Sequence, residues 1–326
     1  MKKFESIFAD EINRFLMIRK QIVSTDTYLG DASILGEFDK FLVENKLNKK
    51  SIDETIVNKW ISNLSCKQRS ITRKYFALKK WLEYLRKYGF LVYIPPIPRF
   101  KDDYSPYLFS EDEISKIFHA VDSMRMNSSK NPYLRFEFAM LLRLLAGCGM
   151  RLNEALQLKM VDINLKTGVI TLKKTKKNKQ RQVPMHESLT EMVKKYTQAM
   201  KLREFAEDYL FPSAKKDIPI SRACARALFN RTLQTAGISY ERKQEHERGP
   251  CLHCLRHCFV LRSFQKVESN GLSINDAIPY LSTYLGHDSL YETEKYLKFS
   301  GEIFKKDMEK FEAFSMSLFP EVKNEE

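Results

Sequence analysis

One stretch decides how the rest of this chain is interpreted, the ten residues Pro250-Cys251-Leu252-His253-Cys254-Leu255-Arg256-His257-Cys258-Phe259. It places cysteines, histidines and an arginine within about three turns of a helix. The cysteines and histidines could hold a soft metal ion, because thiolate and imidazole are its preferred ligands. Alternatively, His253 and Arg256 could bind a phosphate group, because both side chains donate hydrogen bonds to phosphate oxygens.

The metal interpretation rests on Cys251 and Cys254, which have a genuine ligand spacing. A structural metal site, however, usually takes paired ligands from two separated segments, and the sequence offers no second cluster. A helix would also direct these two thiols away from part of the set, and small buried cysteines are common in protein cores. The sequence therefore favours phosphate binding, with no metal and no cofactor.

The composition indicates a globular protein of two domains that attracts polyanions. A chain of 326 residues exceeds the usual size of a single core. Hydrophobic residues make up 43% of it and glycines number only 11, which is typical of a helix-rich protein. The 55 Lys and Arg residues against 41 Asp and Glu residues leave a net charge of +14. Nucleic acid is the favoured partner, and an acidic membrane surface is the weaker alternative.

The sequence also bears on the compartment. The first residues contain no apolar segment of the kind that directs secretion, and no run of about 18 apolar residues follows. The six cysteines do not form a distributed disulfide framework, since three of them crowd into Pro250–Phe259. We therefore expect a soluble cytoplasmic protein with free thiols and no membrane partner.

Helical periodicity predicts an N-terminal bundle. Apolar residues recur at helical spacing from Phe4 to Phe41, which predicts two helices. Ser51, with Glu54 three residues later, resembles a capping box and predicts the start of a third helix. A fourth, basic helix is predicted from Ser70 to Tyr88. The four prolines in residues 94–106 then favour an extended linker.

The linker separates a helical domain, residues 1–93, from a second domain, residues 107–326. In the second domain Ser110 begins another capping box, and a long apolar helix from Tyr133 to Ala146 ends at a Gly-Cys-Gly turn. Short alternating segments predict a small antiparallel sheet of residues 161–165, 169–172 and 182–185. Further helices are predicted at residues 189–200, 221–236, 250–267, 275–285 and 303–318, with another ending at Tyr296. The fold class is therefore mainly α with a small antiparallel β-sheet.

Basic, histidine and tyrosine residues follow one another in a fixed order across the second domain. The motifs are Gly149-Met150-Arg151-Leu152-Asn153-Glu154, a lysine-rich turn ending in Arg181-Gln182-Val183-Pro184, His253-Cys254-Leu255-Arg256-His257, Leu285-Gly286-His287 and Thr293-Glu294-Lys295-Tyr296. In this order they resemble the tyrosine recombinases of the phage integrase family over residues 106–300. The N-terminal bundle resembles, more weakly, the core-binding domain that precedes the catalytic domain in that family.

The resemblance implies a catalytic set around one DNA phosphate. Its members are Arg151, Lys176, His253, Arg256, His287 and the nucleophile Tyr296. Glu154, one helical turn after the first arginine, and His257 would support that set. The implied fold is a helical core-binding domain followed by an α+β catalytic domain.

The residue types fit DNA cleavage by a hydroxyl nucleophile. A tyrosine oxygen must lie in line with the phosphorus, positive charge must offset two non-bridging oxygens, and an acid must protonate the leaving 5′ oxygen. Arg151 and Arg256 suit the two-oxygen contact, and Lys176 suits the acid. The histidines add donors and proton transfer near neutral pH. The implied product is a 3′-phosphotyrosine link, which a 5′ hydroxyl can reseal without ATP or metal.

Two of these assignments have competitors. The spacing from His287, with Thr293 just before it, selects Tyr296 over Tyr291 and Tyr284. Counting back from Arg181 selects Lys176, but Lys174, Lys177 and Lys179 lie close beside it. The family usually has glycines in this turn, where this chain has Thr175 and Lys177.

The expected partner is double-stranded DNA, enclosed by the two domains. The candidate contacts are Arg73, Lys74, Lys79, Lys80, Lys174, Lys177, Lys179, Arg181, Arg222, Arg226 and Arg231. Because recombination joins two duplexes, the resemblance implies a homotetramer on two paired sites, and accessory DNA-bending proteins could assist it. Residues 299–319 would pack on a neighbouring protomer or cover the core of their own.

Two other functions fit parts of the pattern. A non-catalytic sequence-specific DNA-binding protein would explain the charge and the helices, but it would not need a nucleophile, an acid and paired arginines. A type IB topoisomerase shares the cleavage chemistry. The small N-terminal bundle and the block from Leu285 to Tyr296 favour a site-specific recombinase or integrase.

Overall fold

The computed structural model describes residues 4–66, 68–96, 106–124, 131–173, 180–215, 217–241 and 249–297. The chain divides into two compact units, Met1–Tyr104 and Ser105–Glu326. The division falls inside the proline-rich segment of residues 94–106, where prolines block both helices and sheet ladders.

The first unit, over the residues described, contains four helices and two short strands. Helix α1 spans Ala9–Ile22, α2 Thr25–Glu44, α3 Glu54–Ser62 and α4 Gln68–Lys87. Strands β1 (Ser51–Ile52) and β2 (Leu91–Val92) pair in parallel. The buried Trp81 of α4 meets Phe8 and Phe38 edge to face, with ring centroids 5.6 and 5.9 Å apart. These aromatic contacts hold α1, α2 and α4 together.

The start of α3 differs from the prediction at Ser51. That residue lies in β1, and the helix is capped instead by Asp53, whose side chain accepts a hydrogen bond from the Ile56 N–H at 2.9 Å. Aspartate caps a helix as well as serine does, and pairing with β2 keeps Ser51 extended.

The second unit is mainly helical with a small antiparallel sheet, as the sequence predicts. Its helices are α5 (Glu111–Ser123), α6 (Leu134–Cys148), α7 (Leu152–Leu156), α8 (Glu187–Ala199), α9 (Arg222–Thr235), α10 (Leu252–Ser269), α11 (Ile274–Leu285) and α12 (Leu290–Glu294). The predicted capping box of α5 is formed, since Ser110 and Glu113 exchange side-chain to main-chain hydrogen bonds. Helix α12 ends before Tyr296, which lies in the following turn.

The sheet has the strand order β3–β4–β5, with β3 at Ile163–Asn164, β4 at Val169–Leu172 and β5 at Arg181–Pro184. In its register Ile170 faces Val183 and Leu172 faces Arg181, so the last pair closes the end of the β4–β5 hairpin. Four lysines between β4 and β5 that are expected to act in catalysis or DNA binding lie outside the described residues, namely Lys174, Lys176, Lys177 and Lys179. The predicted helix at 303–318 and the segment 299–319 also lie outside them.

Helix α10 borders two cores of the second unit. Its Leu255 belongs to the main core, together with Phe138 and Leu141 of α6. Its Val260 and Phe264 belong to a smaller cluster, which also contains Ile278, Leu285 and Tyr296. The helix is therefore fixed on both sides. None of the helices in the described part of the chain is long and apolar enough to cross a membrane.

Candidate active site

A glycine turn places Arg151 beside α10. Helix α6 is followed by its C-cap Gly149, whose φ of +59° lies in the left-handed region and whose N–H donates to the Leu145 carbonyl. A Cβ at this position would lie 2.3 Å from the Phe259 ring of α10. Only glycine allows this approach, which brings Arg151 at the start of α7 close to Arg256.

Three arginines converge on the carbonyl end of α11. Arg151 donates to the Leu285 and Gly286 carbonyls at 3.4 and 3.1 Å. Arg256 donates to the same Leu285 carbonyl at 2.9 Å. The third, Arg181, donates from Nε to the Tyr284 carbonyl at 2.9 Å. The last carbonyls of a helix have no partner within it and form the negative end of its dipole, so they offset part of the repulsion among these cations.

The carboxylate of Glu154 joins two of these arginines. It accepts from Arg181 at 2.9 and 2.7 Å and from Arg151 Nη1 at 3.0 Å, and it also accepts from the Arg151 main-chain N–H. Burial by itself would raise the pKa of Glu154, but the bonds and charges of Arg181 and then Arg151 outweigh it and lower that pKa to about 2. Glu154 is therefore a buried carboxylate that orients both arginines.

Arg256 is the most enclosed charge of the site, with 1% of its surface exposed. Its Nη1 donates to the Gly149 carbonyl at 2.7 Å, and its Nη2 lies 3.0 Å from His287 Nε2. Burial and the charge of Arg151 lower the pKa of Arg256 to about 10, which still leaves it protonated at neutral pH.

His287 is neutral in this arrangement. Burial, followed by the charge of Arg256 and the other arginines, lowers the pKa of His287 to about 3. Its Nε2 faces Arg256, and its Nδ1 lies 2.7 Å from Thr293 Oγ1. Both ring nitrogens are thus engaged by protein groups.

Tyr296 lies beside this cluster and is 8% exposed. Its ring stacks near the His287 ring, with centroids 6.1 Å apart, and lies 5.1 Å from the His257 ring. Its N–H donates to the Thr293 carbonyl at 3.1 Å. Burial raises the pKa of Tyr296, and the charges of Arg256 and Arg151 only partly offset this effect. The hydroxyl is therefore protonated at neutral pH.

The two histidines of α10 differ in exposure. His253 is exposed, and its ring meets the His257 ring edge to face with centroids 4.7 Å apart. His257 is buried, and burial together with the neighbouring His253 and Arg256 lowers its pKa to about 3. Only His253 of this pair can reach a group that approaches from solvent.

Tyr284 and Tyr291, the alternative candidates for the nucleophile, lie in different surroundings. Tyr284 stacks on Phe259 and donates its hydroxyl to the Cys148 carbonyl at 3.2 Å. Tyr291 is 54% exposed and lies under the Lys295 ammonium group. The structure therefore brings Tyr296, rather than either competitor, to the two histidine rings.

Two of the three cysteines in or directly before α10 are buried in the core. Cys254 and Cys258 are buried, and Cys258 donates to the Phe109 carbonyl at 3.7 Å. Cys251 is exposed, and its Sγ lies 3.5 Å from Cys254 Sγ. Within the described ranges, no group of three or more His, Cys, Asp or Glu side chains is arranged to hold a metal ion.

The residues expected to contact DNA differ in exposure and in ion pairing. In the first unit Arg73 and Lys80 are exposed, Lys74 pairs with Glu37 at 2.5 Å, and Lys79 lies 4.0 Å from Glu83.

In the second unit Arg222, Arg226 and Arg231 are all exposed on α9. At about 100° per residue, the first two share a face and Arg231 points about 140° away from Arg226.

Arg181 is the residue whose place the sequence did not reveal. We expected it among the DNA contacts, but its side chain is 10% exposed and binds Glu154 with both ends of its guanidinium. The alternation of inward-facing and outward-facing residues along β5 could have indicated that Arg181 points inward. Arg181 shares a strand face with the buried Val183, and a residue on that face points inward.

Comparison with known proteins identifies the family of this chain. A model described as the phage integrase family matches residues 108–301, more than half of the chain. The putative integrase/recombinase y4rB of Sinorhizobium fredii is 30% identical over 64% of this chain and 66% of the relative. Tyrosine recombinase XerC of Staphylococcus saprophyticus is 26% identical, over 83% of this chain and 86% of the relative. A tyrosine recombinase of Pseudothermotoga lettingae is 26% identical, over 89% and 90%.

Solved structures share the fold at lower identity. The XerH site-specific recombinase, crystallised with palindromic difH substrate after cleavage, has a TM-score of 0.69 at 23% identity and covers 87% of this chain and 80% of its own. A lambda integrase dimer bound to a core site has a TM-score of 0.66 at 16% identity and covers 90% and 77%. The chain therefore belongs to the phage integrase family and is a tyrosine site-specific recombinase.

Proposed function

We propose that this recombinase cuts and rejoins double-stranded DNA through Tyr296. The observation that supports this assignment best is the position of its ring, which lies next to His257 and His287 beside the most enclosed arginine of the site. The tyrosine oxygen attacks a DNA phosphorus, the P–O5′ bond breaks, and a 3′-phosphotyrosine link remains. Reversal by a 5′ hydroxyl restores the DNA, so the bond energy is retained without an external source.

Arg151 and Arg256 are proposed to bind the two non-bridging oxygens. Their guanidiniums meet at the Leu285 carbonyl, which fixes their spacing before DNA arrives. The Arg151 side chain is 27% exposed and can reach a phosphate from solvent, whereas the enclosed Arg256 would contact its oxygen from the protein side of the site. Donors held in place in this way stabilise the developing negative charge without reorganisation.

Two protons must move in this reaction. The protonated hydroxyl of Tyr296 releases one to solvent water as the O–P bond forms, and the leaving 5′ oxygen gains one as the P–O5′ bond breaks. Lys176 is proposed as the donor to the 5′ oxygen, by the family pattern. His253, exposed at the start of α10, is proposed to donate a hydrogen bond to the phosphate.

The DNA contacts are proposed to come from both units. Exposed cations on α4 and α9, with the net charge of +14, favour the phosphate backbone. DNA-bound relatives of the same fold support this partner. Arg222→Ala and Arg226→Ala should each reduce the salt dependence of binding by about one phosphate contact, and Arg231→Ala should do so only if DNA reaches the other side of α9.

A suicide DNA substrate tests the assignment of the nucleophile. Such a substrate loses a short strand after cleavage, so the covalent adduct accumulates. Wild type should form the adduct, and Tyr296→Phe should bind the same DNA without forming it. Tyr291→Phe and Tyr284→Phe are the matched controls and should keep the adduct. An adduct in Tyr296→Phe would show that another residue attacks.

The assembly is proposed to be a homotetramer on two paired DNA sites, with accessory DNA-bending proteins as additional partners. An apolar groove of about 400 Å³ between α6 and α8 supports contact between protomers, because Tyr133 and Phe136, which line it, are about half exposed. Its proposed occupant is the segment 299–319 of a neighbour. Truncation after Ser300 should abolish cooperative binding to paired sites, and unchanged cooperativity would exclude this exchange. Phe136→Glu should have the same effect as the truncation.

A further inference from the structure

Thr293 joins the histidine and the tyrosine of the site. It is completely buried, and its Oγ1 lies 2.7 Å from His287 Nδ1. Its main-chain carbonyl accepts from the Tyr296 N–H at 3.1 Å. One residue therefore contacts the His287 ring through its side chain and the nucleophile through its backbone.

The neighbouring arginine determines how this histidine is protonated. Arg256 Nη2 lies 3.0 Å from His287 Nε2, and a guanidinium can only donate. His287 Nε2 must therefore accept, which places the proton of the neutral ring on Nδ1. The Nδ1–H then donates to Thr293 Oγ1, the acceptor within hydrogen-bond distance. The opposite tautomer would direct an N–H of His287 at an N–H of Arg256.

We propose that Thr293 is a positioning residue: it accepts the Nδ1–H that the contact of His287 with Arg256 requires, and it sets the ring next to Tyr296. The proposal rests on the proposed function, because it concerns the histidine that lies next to the proposed nucleophile Tyr296. A valine at 293 has nearly the same shape but no acceptor. The buried Nδ1–H would then lose its partner, and the contact of Nε2 with Arg256 would be strained or lost.

The same contact sets the geometry of the nucleophile. Helix α12 is only five residues long, and Tyr296 follows it in a turn. The side-chain bond of Thr293 fixes α12 against the loop that holds His287. The stacked arrangement of the His287 and Tyr296 rings, with an interplanar angle of 8°, follows from this attachment.

Variants at 293 test the proposal against a matched control. Thr232→Val removes a hydroxyl from an equally buried threonine, whose Oγ1 donates to the Leu228 carbonyl within α9. The tautomer of His287 and the hydrogen bond of its Nδ1–H are read from the ¹⁵N chemical shifts of His287 in protein labelled at histidine, without DNA. Cleavage is read as the single-turnover rate on the suicide substrate.

Thr293→Val should lose the ¹⁵N shift of a hydrogen-bonded Nδ1–H and cleave about 10- to 100-fold more slowly, whereas Thr232→Val should keep the wild-type shift and rate. Thr293→Ser retains the acceptor and should restore both readouts. If Thr293→Val does not fold, Thr293→Cys, which is similar in size with a weak acceptor, should give the same direction of change.

The proposal is overturned if Thr293→Val keeps the wild-type ¹⁵N shifts of His287 and cleaves as fast as Thr232→Val, or if Thr293→Ser cleaves as slowly as Thr293→Val. The tautomer does not depend on catalysis. A wild-type protein with the expected tautomer but no tyrosine adduct would therefore contradict the proposed function and leave the role of Thr293 in place.

Discussion

The guanidinium of Arg181 donates to both carboxylate oxygens of Glu154, with Nη1–Oε1 at 2.9 Å and Nη2–Oε2 at 2.7 Å. Both side chains are enclosed, with exposed fractions of 10% and 4%. The ion pair joins the first residue of β5 to helix α7, which Arg151 immediately precedes. Arg181, which follows the lysine-rich turn in the sequence, is in this way connected to Arg151 through Glu154.

Removing Arg181 should destabilise the second unit strongly. Arg181→Met leaves the carboxylate of Glu154 buried with only Arg151 as a charged partner, so the free energy of unfolding should fall by about 3 to 5 kcal/mol. Urea denaturation at neutral pH measures it. The double variant Arg181→Met/Glu154→Gln removes the unpaired charge and should recover much of the loss. If the double variant is no more stable than Arg181→Met, the pair does not act as a unit.

The stability of the protein should fall in acid through Glu154. Its folded pKa of about 2 lies below the usual unfolded value of about 4.3, so its contribution is fully present well above pH 4. That contribution, about 3 kcal/mol, is lost as the pH falls toward 2. Urea denaturation from pH 7 to 3 should therefore show a steeper decline for wild type than for Glu154→Gln. Parallel curves would contradict the low pKa.

Gly149→Ala should disrupt the turn that places Arg151. The new Cβ would meet the Phe259 ring, in addition to the cost of a left-handed alanine, which is about 1 kcal/mol. Gly237 has a similar φ of +66° and nothing within 4 Å of a Cβ, so Gly237→Ala isolates the backbone cost. Thermal denaturation should show a clearly larger loss for Gly149→Ala, accompanied by slower cleavage. Equal losses would mean that Phe259 moves aside without cost.

Lys176→Ala should slow cleavage of ordinary DNA by about 10²- to 10⁴-fold, because the leaving 5′ oxygen loses its acid. A substrate with sulfur in place of the bridging 5′ oxygen should be cleaved nearly as fast by the variant as by wild type, since a thiolate leaves without being protonated. Lys174→Ala, Lys177→Ala and Lys179→Ala are the controls. Whichever variant is rescued by sulfur identifies the acid, and rescue of a control instead would move the role to that lysine.

Cys254→Ala should retain cleavage. The thiol is buried in the main core, and its loss leaves a small cavity that should cost about 1 kcal/mol of unfolding free energy. The single-turnover rate on the suicide substrate should match that of wild type. A rate that falls tenfold in a protein of normal stability would place the thiol in the chemistry.

Periodicity predicted most of the helices because one face of each is buried, and the capping box at Ser110 marked the start of α5 correctly. The capping pattern could not show whether Ser51 or Asp53 caps α3, because both residue types cap helices. The pairing of β1 with β2, which keeps Ser51 extended, joins segments far apart in sequence. A parallel pair of two-residue strands leaves no pattern long enough to detect.

For the functional site too, the sequence revealed some residues and left others to be determined by the fold. The family order located Arg151, Arg256, His287 and Tyr296, which the structure brings together. It could not distinguish Arg181 from the cations before it, because a run of positive charge gives no indication of which member turns inward. The carbonyls at the end of α11 were also invisible, because every residue has one and only the fold decides which of them face a cation.

The shared carbonyl of Leu285 has a consequence for engineering this enzyme toward new DNA sites. It is a main-chain oxygen, so no substitution at 285 removes it, and a leucine there gives no hint in an alignment that two guanidiniums depend on it. Changes that shift the register or the end of α11 would disable the enzyme even with every catalytic side chain intact. Libraries should therefore diversify α4 and α9 and leave the length of the segment from Ile274 to His287 untouched.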